Sequence, residues 1–308
     1  MRRARIPAGW PFAEASQIVP AGGVNWHVQR FGAGPALLLI HGAGASTHSF
    51  RELAARLKDK FEIVMIDLPG LGFSSSLRAP DVAAVARALG ALLREIGAAP
   101  AVIAGHSAGV AVALRLVLDG HAAPRAIVGF APALKPYGGR ADGIASKTAR
   151  LALLNPLAAR LLSAQASQTR VARLIERTGS RLSPEGLALY QQLLRQPGHI
   201  AGTLRLMAHW KLRPLQAELH NIALPVTFAA GEADSATPAR AIEATARLIP
   251  DCRLISLPGL GHLAHEEDPA RAADIILEAA RAAGVTVQDT QTDTHPGLRL
   301  AGGASCPA

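Results

Sequence analysis

Residues 101–118 read AVIAGHSAGVAVALRLVL, and this segment is the strongest indication of the fold class. The apolar run at 101–105 is typical of a buried strand, and the run after Gly109 is typical of a helix. Between them lies GHSAG at 105–109, a GxSxG pattern whose small residues relieve crowding at a strained turn. The segment therefore predicts a strand, a sharp turn and a helix, with the Oγ of Ser107 projecting above the sheet.

The same alternation recurs on both sides of this stretch. Further continuous apolar runs predict parallel strands covered on both faces, at 36–40, 62–67, 126–130, 225–231 and 252–259. Helical patterns fall between the runs, at 50–58, 81–97, 107–119, 237–248 and 269–283. Residues 17–32 predict a hairpin at an antiparallel edge. The sequence therefore predicts an α/β fold, a mostly parallel sheet flanked by crossover helices.

The alternation stops after Phe130 and resumes at Pro225. Helical patterns rich in Leu, Ala and Arg fill the gap, so we expect a helical cap at 131–220 inserted into a core of residues 1–130 and 221–284. Residues 285–308 are polar and without periodicity, which predicts a disordered tail.

The net charge of +9 is concentrated in the predicted cap. Residues 131–220 carry 13 Lys and Arg against 4 Asp and Glu, and the remaining residues are neutral in sum. Two interpretations stay open: a solvated basic face, or a field that attracts an anionic small molecule, an acidic partner or a lipid surface. Nucleic acid is disfavoured because the cap has three aromatic residues and no recognition motif.

The composition predicts a globular protein with a large apolar core. Hydrophobic residues make up 49% of the 308 residues and charged residues 18%, which is too apolar for a disordered chain. Cys252 and Cys306 lack metal-ligand spacing, and neither a signal peptide nor a membrane-spanning run is visible. We expect a cytoplasmic protein with no metal and no cofactor, and membrane contact that is at most peripheral.

A serine nucleophile needs a base, and the base needs an orienting carboxylate. Asp234 follows the strand at 225–231, and His262 follows the strand at 252–259. Both would emerge at the carboxyl edge of the sheet, in the order Ser, Asp, His that this strand–turn–helix arrangement requires. The pattern predicts a catalytic triad of Ser107, Asp234 and His262.

Three other residues compete for these roles. Glu232 lies two residues before Asp234 and could supply the carboxylate. His265 lies three residues after His262, where a helix begins. His106 precedes the nucleophile, and we expect it to be packed or hydrogen-bonded beneath the turn.

Glycines in HGAG at 41–44 follow a predicted strand directly. They let the backbone approach a substrate carbonyl, so that amides can donate to a developing oxyanion. The expected donors are the backbone N–H groups of Ala43 and Ala108. The segment lacks the GKS/T ending of a P-loop and the spacing of a dinucleotide site.

Five motifs stand out along the chain: HGAG at 41–44, DLPGLGFS at 67–74, GHSAG at 105–109, GEAD at 231–234 and GHLAHEE at 261–267. With these motifs the chain resembles the α/β-hydrolase superfamily. The motifs occur in the family's order across about residues 15–284. The resemblance implies the triad argued above and a structural turn at 67–74. Relatives with an aspartate nucleophile are disfavoured because this position is Ser107.

A narrower resemblance is carried by WPFAEAS at 10–16, GGVNWHVQRFG at 22–32, HGAGASTHSF at 41–50, TGSRLSPEGLALY at 178–190 and LMAHWKLRPL at 206–215. These segments resemble the magnesium-chelatase accessory proteins of bacteriochlorophyll biosynthesis in photosynthetic bacteria. Lys211 departs from the aspartate expected there. The resemblance leaves two function classes: a serine hydrolase acting on an ester or related acyl bond of a tetrapyrrole or small carboxylate, or a non-catalytic protein that binds magnesium chelatase or its porphyrin.

Overall fold

A computed structural model describes residues 6–135 and 156–287. Within these residues one sheet contains β1 (Ser16–Ala21), β2 (Val24–Gly32), β3 (Ala36–Ile40), β4 (Glu62–Ile66), β5 (Val102–His106), β6 (Ala126–Phe130), β7 (Val226–Gly231) and β8 (Cys252–Leu257). Their spatial order is β1-β2-β4-β3-β5-β6-β7-β8. The hairpin β1–β2 forms one edge, β2 pairs antiparallel with β4, and the remaining pairs are parallel. The predicted mostly parallel sheet is confirmed.

Helices connect the strands, as the apolar periodicity predicts. The described helices are α1 (Arg51–Leu57), α2 (Val82–Glu95), α3 (Ala108–Leu118), α4 (Pro156–Ala164), α5 (Gln168–Glu176), α6 (Pro184–Leu194), α7 (Pro197–His209), α8 (Arg213–Glu218), α9 (Ala239–Ala246), α10 (Ala264–Glu267) and α11 (Pro269–Ala282). Several begin where the sequence supplies a cap. The side chains of Asp81, Ser167 and Ser183 each accept a hydrogen bond from the first turn of α2, α5 and α6 respectively.

Both faces of the central strands are buried, which explains their continuous apolar sequences. Successive side chains of a strand point to opposite faces. Leu37 and Leu39 of β3 accordingly pack in one core cluster with α1 and α11, whereas Leu38 and Ile40 pack in the other with α2 and α3. Fully burying one such side chain contributes about 1.5–3 kcal/mol. The two clusters fix the sheet, and therefore the loops at its carboxyl edge.

The strand β8 differs from the other parallel strands because it lies at the sheet edge. Arg253 and Leu254 are exposed there, so the apolar run is only half-buried. No helix within 6–135 and 156–287 combines the length and apolarity needed to cross a bilayer.

The insertion between β6 and β7 is helical, as predicted, and contains α4 to α7 followed by α8. Residues 136–155 of the predicted cap lie outside the described residues, and the proposed boundaries at 131 and 220 stay predictions. At the other end, Val285 is buried and its N–H donates to the Ala280 carbonyl. The predicted disordered tail lies outside the described residues from 288 onward.

Candidate active site

The turn at Ser107 has a strained backbone that only close packing can maintain. Ser107 has φ 51° and ψ −113°, in a region that a residue with a side chain rarely adopts. A Cβ on Gly109 would collide with the carbonyl oxygen of Ile40, and one on Gly105 would lie 2.8 Å from the Val110 nitrogen. The two glycines therefore allow α3 to begin directly against β3 and β5, which points Ser107 away from the sheet.

The three predicted site residues meet at the carboxyl edge of the sheet. His262 Nε2 lies 3.1 Å from Ser107 Oγ, and His262 Nδ1 lies 2.8 Å from Asp234 Oδ2. All three residues are buried. Because a carboxylate faces Nδ1, that nitrogen carries the proton and Nε2 is free to accept one from the serine hydroxyl.

Asp234 is held by more than its histidine. Its Oδ1 accepts hydrogen bonds of 2.8 Å from the N–H groups of Ala236 and Thr237, and the Thr237 hydroxyl donates to Oδ2. Burial alone would raise the pKa of Asp234, but the hydrogen bond and positive field of His262, with the donors from Thr237, lower it below its usual value. The carboxylate is therefore ionised and fixed at neutral pH.

The competing residues occupy other environments. Glu232 is exposed and accepts a hydrogen bond from Ser256 Oγ. His265 is buried among aromatic rings, including Phe50 and His106, and neither of its ring nitrogens has a hydrogen-bond partner among the described residues. Burial, then the fields of His262 and Arg51, lower the pKa of His265 to about 3. The geometry gives neither Glu232 nor His265 a contact with Ser107.

His106 lies beneath the turn, as expected. It is buried, and its Nε2 donates to the His262 carbonyl oxygen at 3.0 Å. Burial is also the main cause that lowers the pKa of His106 well below its ordinary value, so the ring is neutral. His106 therefore supports the backbone of His262 rather than facing a reactant.

The backbone N–H groups of the two expected oxyanion donors, Ala43 and Ala108, have no acceptor among the described residues. The loop that carries Ala43 is fixed by His41, whose Nδ1 donates to the Gly42 carbonyl and whose Nε2 accepts from the Leu68 N–H. Gly42 also approaches the site closely, since a Cβ there would lie 3.1 Å from the Ser107 Cβ.

Sequence reasoning missed a group of cap residues that hold the loops of Asp234 and His262. The Thr178 carbonyl accepts from the N–H groups of both Ser235 and His262, and Ser180 Oγ accepts from the Leu263 N–H at 2.8 Å. Between them, Gly179 has φ 83°, and a Cβ there would collide with the Ala233 carbonyl. Three consecutive cap residues therefore contact and position the loops of Asp234 and His262. No spacing rule in the sequence predicts these contacts.

Another cap residue, His199 of α7, forms hydrogen bonds with two core loops near the oxyanion donors. Its Nδ1 accepts a 2.9 Å hydrogen bond from the Gly72 N–H, so its Nε2 carries the proton and donates to the Gly44 carbonyl at 3.2 Å. Burial lowers the pKa of His199 to about 4, which keeps the ring neutral. His199 therefore anchors the residue that follows Ala43.

The turn at 67–74 is organised around one buried carboxylate. Asp67 accepts hydrogen bonds from His27 Nδ1 at 2.7 Å, from the Thr47 N–H at 2.8 Å and from the Phe73 N–H at 2.9 Å. These hydrogen bonds connect the turn to β2 and to the loop after β3, which accounts for the motif as the structural turn that the resemblance implies. Elsewhere within 6–135 and 156–287, no group of three or more His, Cys, Asp or Glu side chains could hold a metal ion.

Comparisons with known proteins identify the family of the chain. Residues 37–275 match the model of the Alpha/beta hydrolase family. The chain is 38% identical over 278 residues to the Magnesium-chelatase 30 kDa subunit of Rhodobacter capsulatus, covering 89% of this chain and 97% of that protein.

Two solved structures are similar in fold. A thermophilic esterase from Thermogutta terrifontis has a TM-score of 0.70 at 22% identity, covering 85% of this chain and 95% of that one. An α/β hydrolase fold protein from Burkholderia ambifaria has a TM-score of 0.70 at 24% identity, covering 85% and 96%. The chain therefore belongs to the α/β-hydrolase family and is related to the Magnesium-chelatase 30 kDa subunit of Rhodobacter capsulatus.

Proposed function

We propose that this protein is a serine hydrolase that cleaves an ester or related acyl bond, with Ser107 as nucleophile, His262 as base and Asp234 as the orienting carboxylate. The observation that carries the proposal is the continuous chain of contacts, 3.1 Å from Ser107 Oγ to His262 Nε2 and 2.8 Å from His262 Nδ1 to Asp234. These are hydrogen-bond distances suited to proton transfer.

The reaction follows from the positions of these atoms. His262 Nε2 takes the hydroxyl proton as Ser107 Oγ bonds to the acyl carbon, and the negative charge moves to the carbonyl oxygen. The N–H groups of Ala43 and Ala108 donate to that oxyanion. His262 then gives the proton to the alcohol oxygen as the bond between that oxygen and the acyl carbon breaks, which leaves Ser107 acylated. A water molecule next gives a proton to His262 and bonds to the acyl carbon, and the bond to Ser107 Oγ breaks as His262 returns the proton to Ser107, which releases the acid.

The relative suggests a pathway for the substrate. A protein named as a subunit of magnesium chelatase shares 38% identity over most of both chains, which supports a role in the magnesium-porphyrin steps of bacteriochlorophyll biosynthesis. We propose a small-molecule substrate from that chemistry, a tetrapyrrole or another anionic carboxylate. The basic charge of the cap supports an anion.

The same relationship favours a second candidate function. A protein that binds magnesium chelatase or its porphyrin could use the hydrolase fold as a scaffold without turnover, since fold does not determine function. This candidate requires binding to the chelatase or porphyrin but no reactive serine. The two candidates therefore differ in the chemistry of Ser107.

A serine-directed fluorophosphonate probe separates the two candidates. We expect the wild-type protein to be labelled and Ser107→Ala to remain unlabelled. His262→Ala should suppress labelling strongly, because it removes the base, whereas His265→Leu should label like the wild type. A folded wild-type protein that stays unlabelled where known serine hydrolases react would reject the hydrolase and favour the accessory role. Retained binding of magnesium chelatase by Ser107→Ala would then support that role directly.

A further inference from the structure

The cap contains a cavity of about 510 Å³ outside the triad. It lies among α4 to α7. Its lining residues include Leu162, Arg170, Arg173, Leu174, Arg177 and Thr203. The volume is within the range of small-molecule sites, roughly 300–1,000 Å³.

Three arginines lie along one side of this cavity. Arg170 and Arg173 belong to α5, Arg177 follows its last turn, and the spacings of three and four residues place their side chains on one face. All three are exposed, and no carboxylate of the described residues forms a salt bridge with any of them. The Arg170 guanidinium donates to Gln165 Oε1, a neutral acceptor. No carboxylate within residues 6–135 and 156–287 therefore pairs with the positive charge at the cavity.

Apart from the polar side chains of Gln165 and Thr203, the remaining walls are apolar, and part of that apolar surface faces solvent. Leu174 is 55% exposed and Leu162 is 50% exposed, although both line the cavity. Inorganic phosphate or another small polar anion would use the arginines and leave these leucines in water. A neutral lipid would cover the leucines and leave the arginines unpaired. A ligand with an apolar body and a carboxylate satisfies both, because the planar guanidinium matches a carboxylate.

The cavity adjoins the loops that form the candidate active site. Thr203 lines it, and the Thr203 Cγ2 lies 3.8 Å from the position that a Cβ on Gly44 would occupy. At the other end, the Arg177 carbonyl accepts a 2.6 Å hydrogen bond from Ser235 Oγ, next to Asp234. Two residues that line the cavity therefore contact the oxyanion loop and the loop of the orienting carboxylate.

We infer that this cavity, which we call the arginine cavity, binds an amphipathic carboxylate, with the acid group at Arg170, Arg173 and Arg177 and the apolar body against the leucines. Its assignment as the substrate-binding region rests on the proposed hydrolase function. The binding of a carboxylate does not depend on that function, because no triad residue lines the cavity.

Binding of a fluorescent amphipathic carboxylate tests the inference. The probe is 11-(dansylamino)undecanoate, and its methyl ester is the neutral control; both are titrated against Ser107→Ala so that the ester stays intact. We expect Arg170→Gln, Arg173→Gln and Arg177→Gln combined to weaken binding of the carboxylate on the order of tenfold, because exposed ion pairs each contribute modestly. Added salt should weaken it in the same direction.

The matched control replaces three exposed arginines of the core, Arg78→Gln, Arg87→Gln and Arg94→Gln, which remove the same charge away from the cavity. This variant should bind like the parent. Leu174→Glu gives a second, single-site test, since an added carboxylate should weaken binding of the acid more than that of the methyl ester.

Equal binding of acid and ester, unchanged affinity in the cavity variant, or equal losses in both triple variants would each overturn the inference. Fluorophosphonate labelling of the wild-type protein tests the proposed hydrolase function independently. The carboxylate-binding inference and the hydrolase proposal can therefore fail separately.

Discussion

Ser107, Asp234 and His262 come from loops of the core, whereas the residues that fasten those loops come from the cap. The core supplies the proposed reacting groups through three motifs that follow strands. The cap contributes backbone and side-chain contacts, from Thr178 to the loops of the base and its carboxylate and from His199 to the oxyanion loop. The candidate reacting groups are therefore specified by local motifs, whereas their positions depend on contacts from an insertion that is distant in the sequence.

The largest effect should come from the core. Asp234→Asn keeps the size of the side chain but leaves His262 in the wrong tautomer, so we expect a loss on the order of 10⁴ in kcat, measured with an activated ester. Glu232→Gln is the control and should retain full activity, because its carboxyl contacts Ser256 at the surface. Equal losses in the two variants would contradict the choice of carboxylate.

The cap should contribute most to stability through Gly179. Gly179→Ala forces a side chain into a left-handed backbone and against the Ala233 carbonyl. We expect the free energy of unfolding in urea to fall by at least about 3 kcal/mol. Gly198→Ala, in α7, is the control, because a Cβ there meets nothing within 4 Å. If both variants were as stable as the wild type, the cap would not hold the catalytic loops.

A smaller effect on turnover should follow from His199→Leu. This change leaves the Gly72 N–H and the Gly44 carbonyl without partners and loosens the loop of Ala43. We expect kcat for an activated ester to fall about tenfold, with KM changing less, because the loop acts on the transition state. His209 lies on the same helix, and among the described residues its ring bonds only the Arg205 carbonyl, so His209→Leu should retain activity. A change confined to KM would assign His199 to substrate binding instead.

The smallest effect concerns the pH dependence of stability. The native pKa of His265 is about 3, against 6.5 for an ordinary histidine. Between these values the unfolded chain binds a proton that the native protein does not, so stability falls as the pH falls, by up to about 1.4 kcal/mol per pH unit. His265→Leu should remove this component. Urea unfolding at pH 6.5 and 5.5 measures it, and an unchanged pH slope in the variant would contradict the assignment.

The core was predictable because its signals are local. Each parallel strand is short, apolar and followed by a motif, so GHSAG and HGAG could be placed at the sheet edge from the sequence alone. His262 could be favoured over His265 only by its distance from the preceding strand, and the structure adds the contacts that separate the two rings.

The cap contacts were not predictable, because they arise from tertiary packing. Thr178, Gly179 and Ser180 lie in the segment at 178–190 that carries the narrower resemblance, but the sequence assigns no contact to them or to His199. These residues form hydrogen bonds with backbone atoms of loops that are dozens of residues away in the sequence. The half-buried edge strand β8 is a similar case, since its apolar run resembles those of the central strands.

The insertion leaves the core after β6 and returns at β7, and these two strands are direct neighbours with Phe130 paired to Ala229. An evolving gene could therefore lengthen, shorten or replace the intervening segment while the strand register stays unchanged. The loops of Asp234 and His262 would constrain such exchanges, because any new segment must again offer them acceptors and donors where Thr178 and Ser180 now lie. Substrate range could diversify quickly in this architecture, whereas the three residues at that junction would be slow to change.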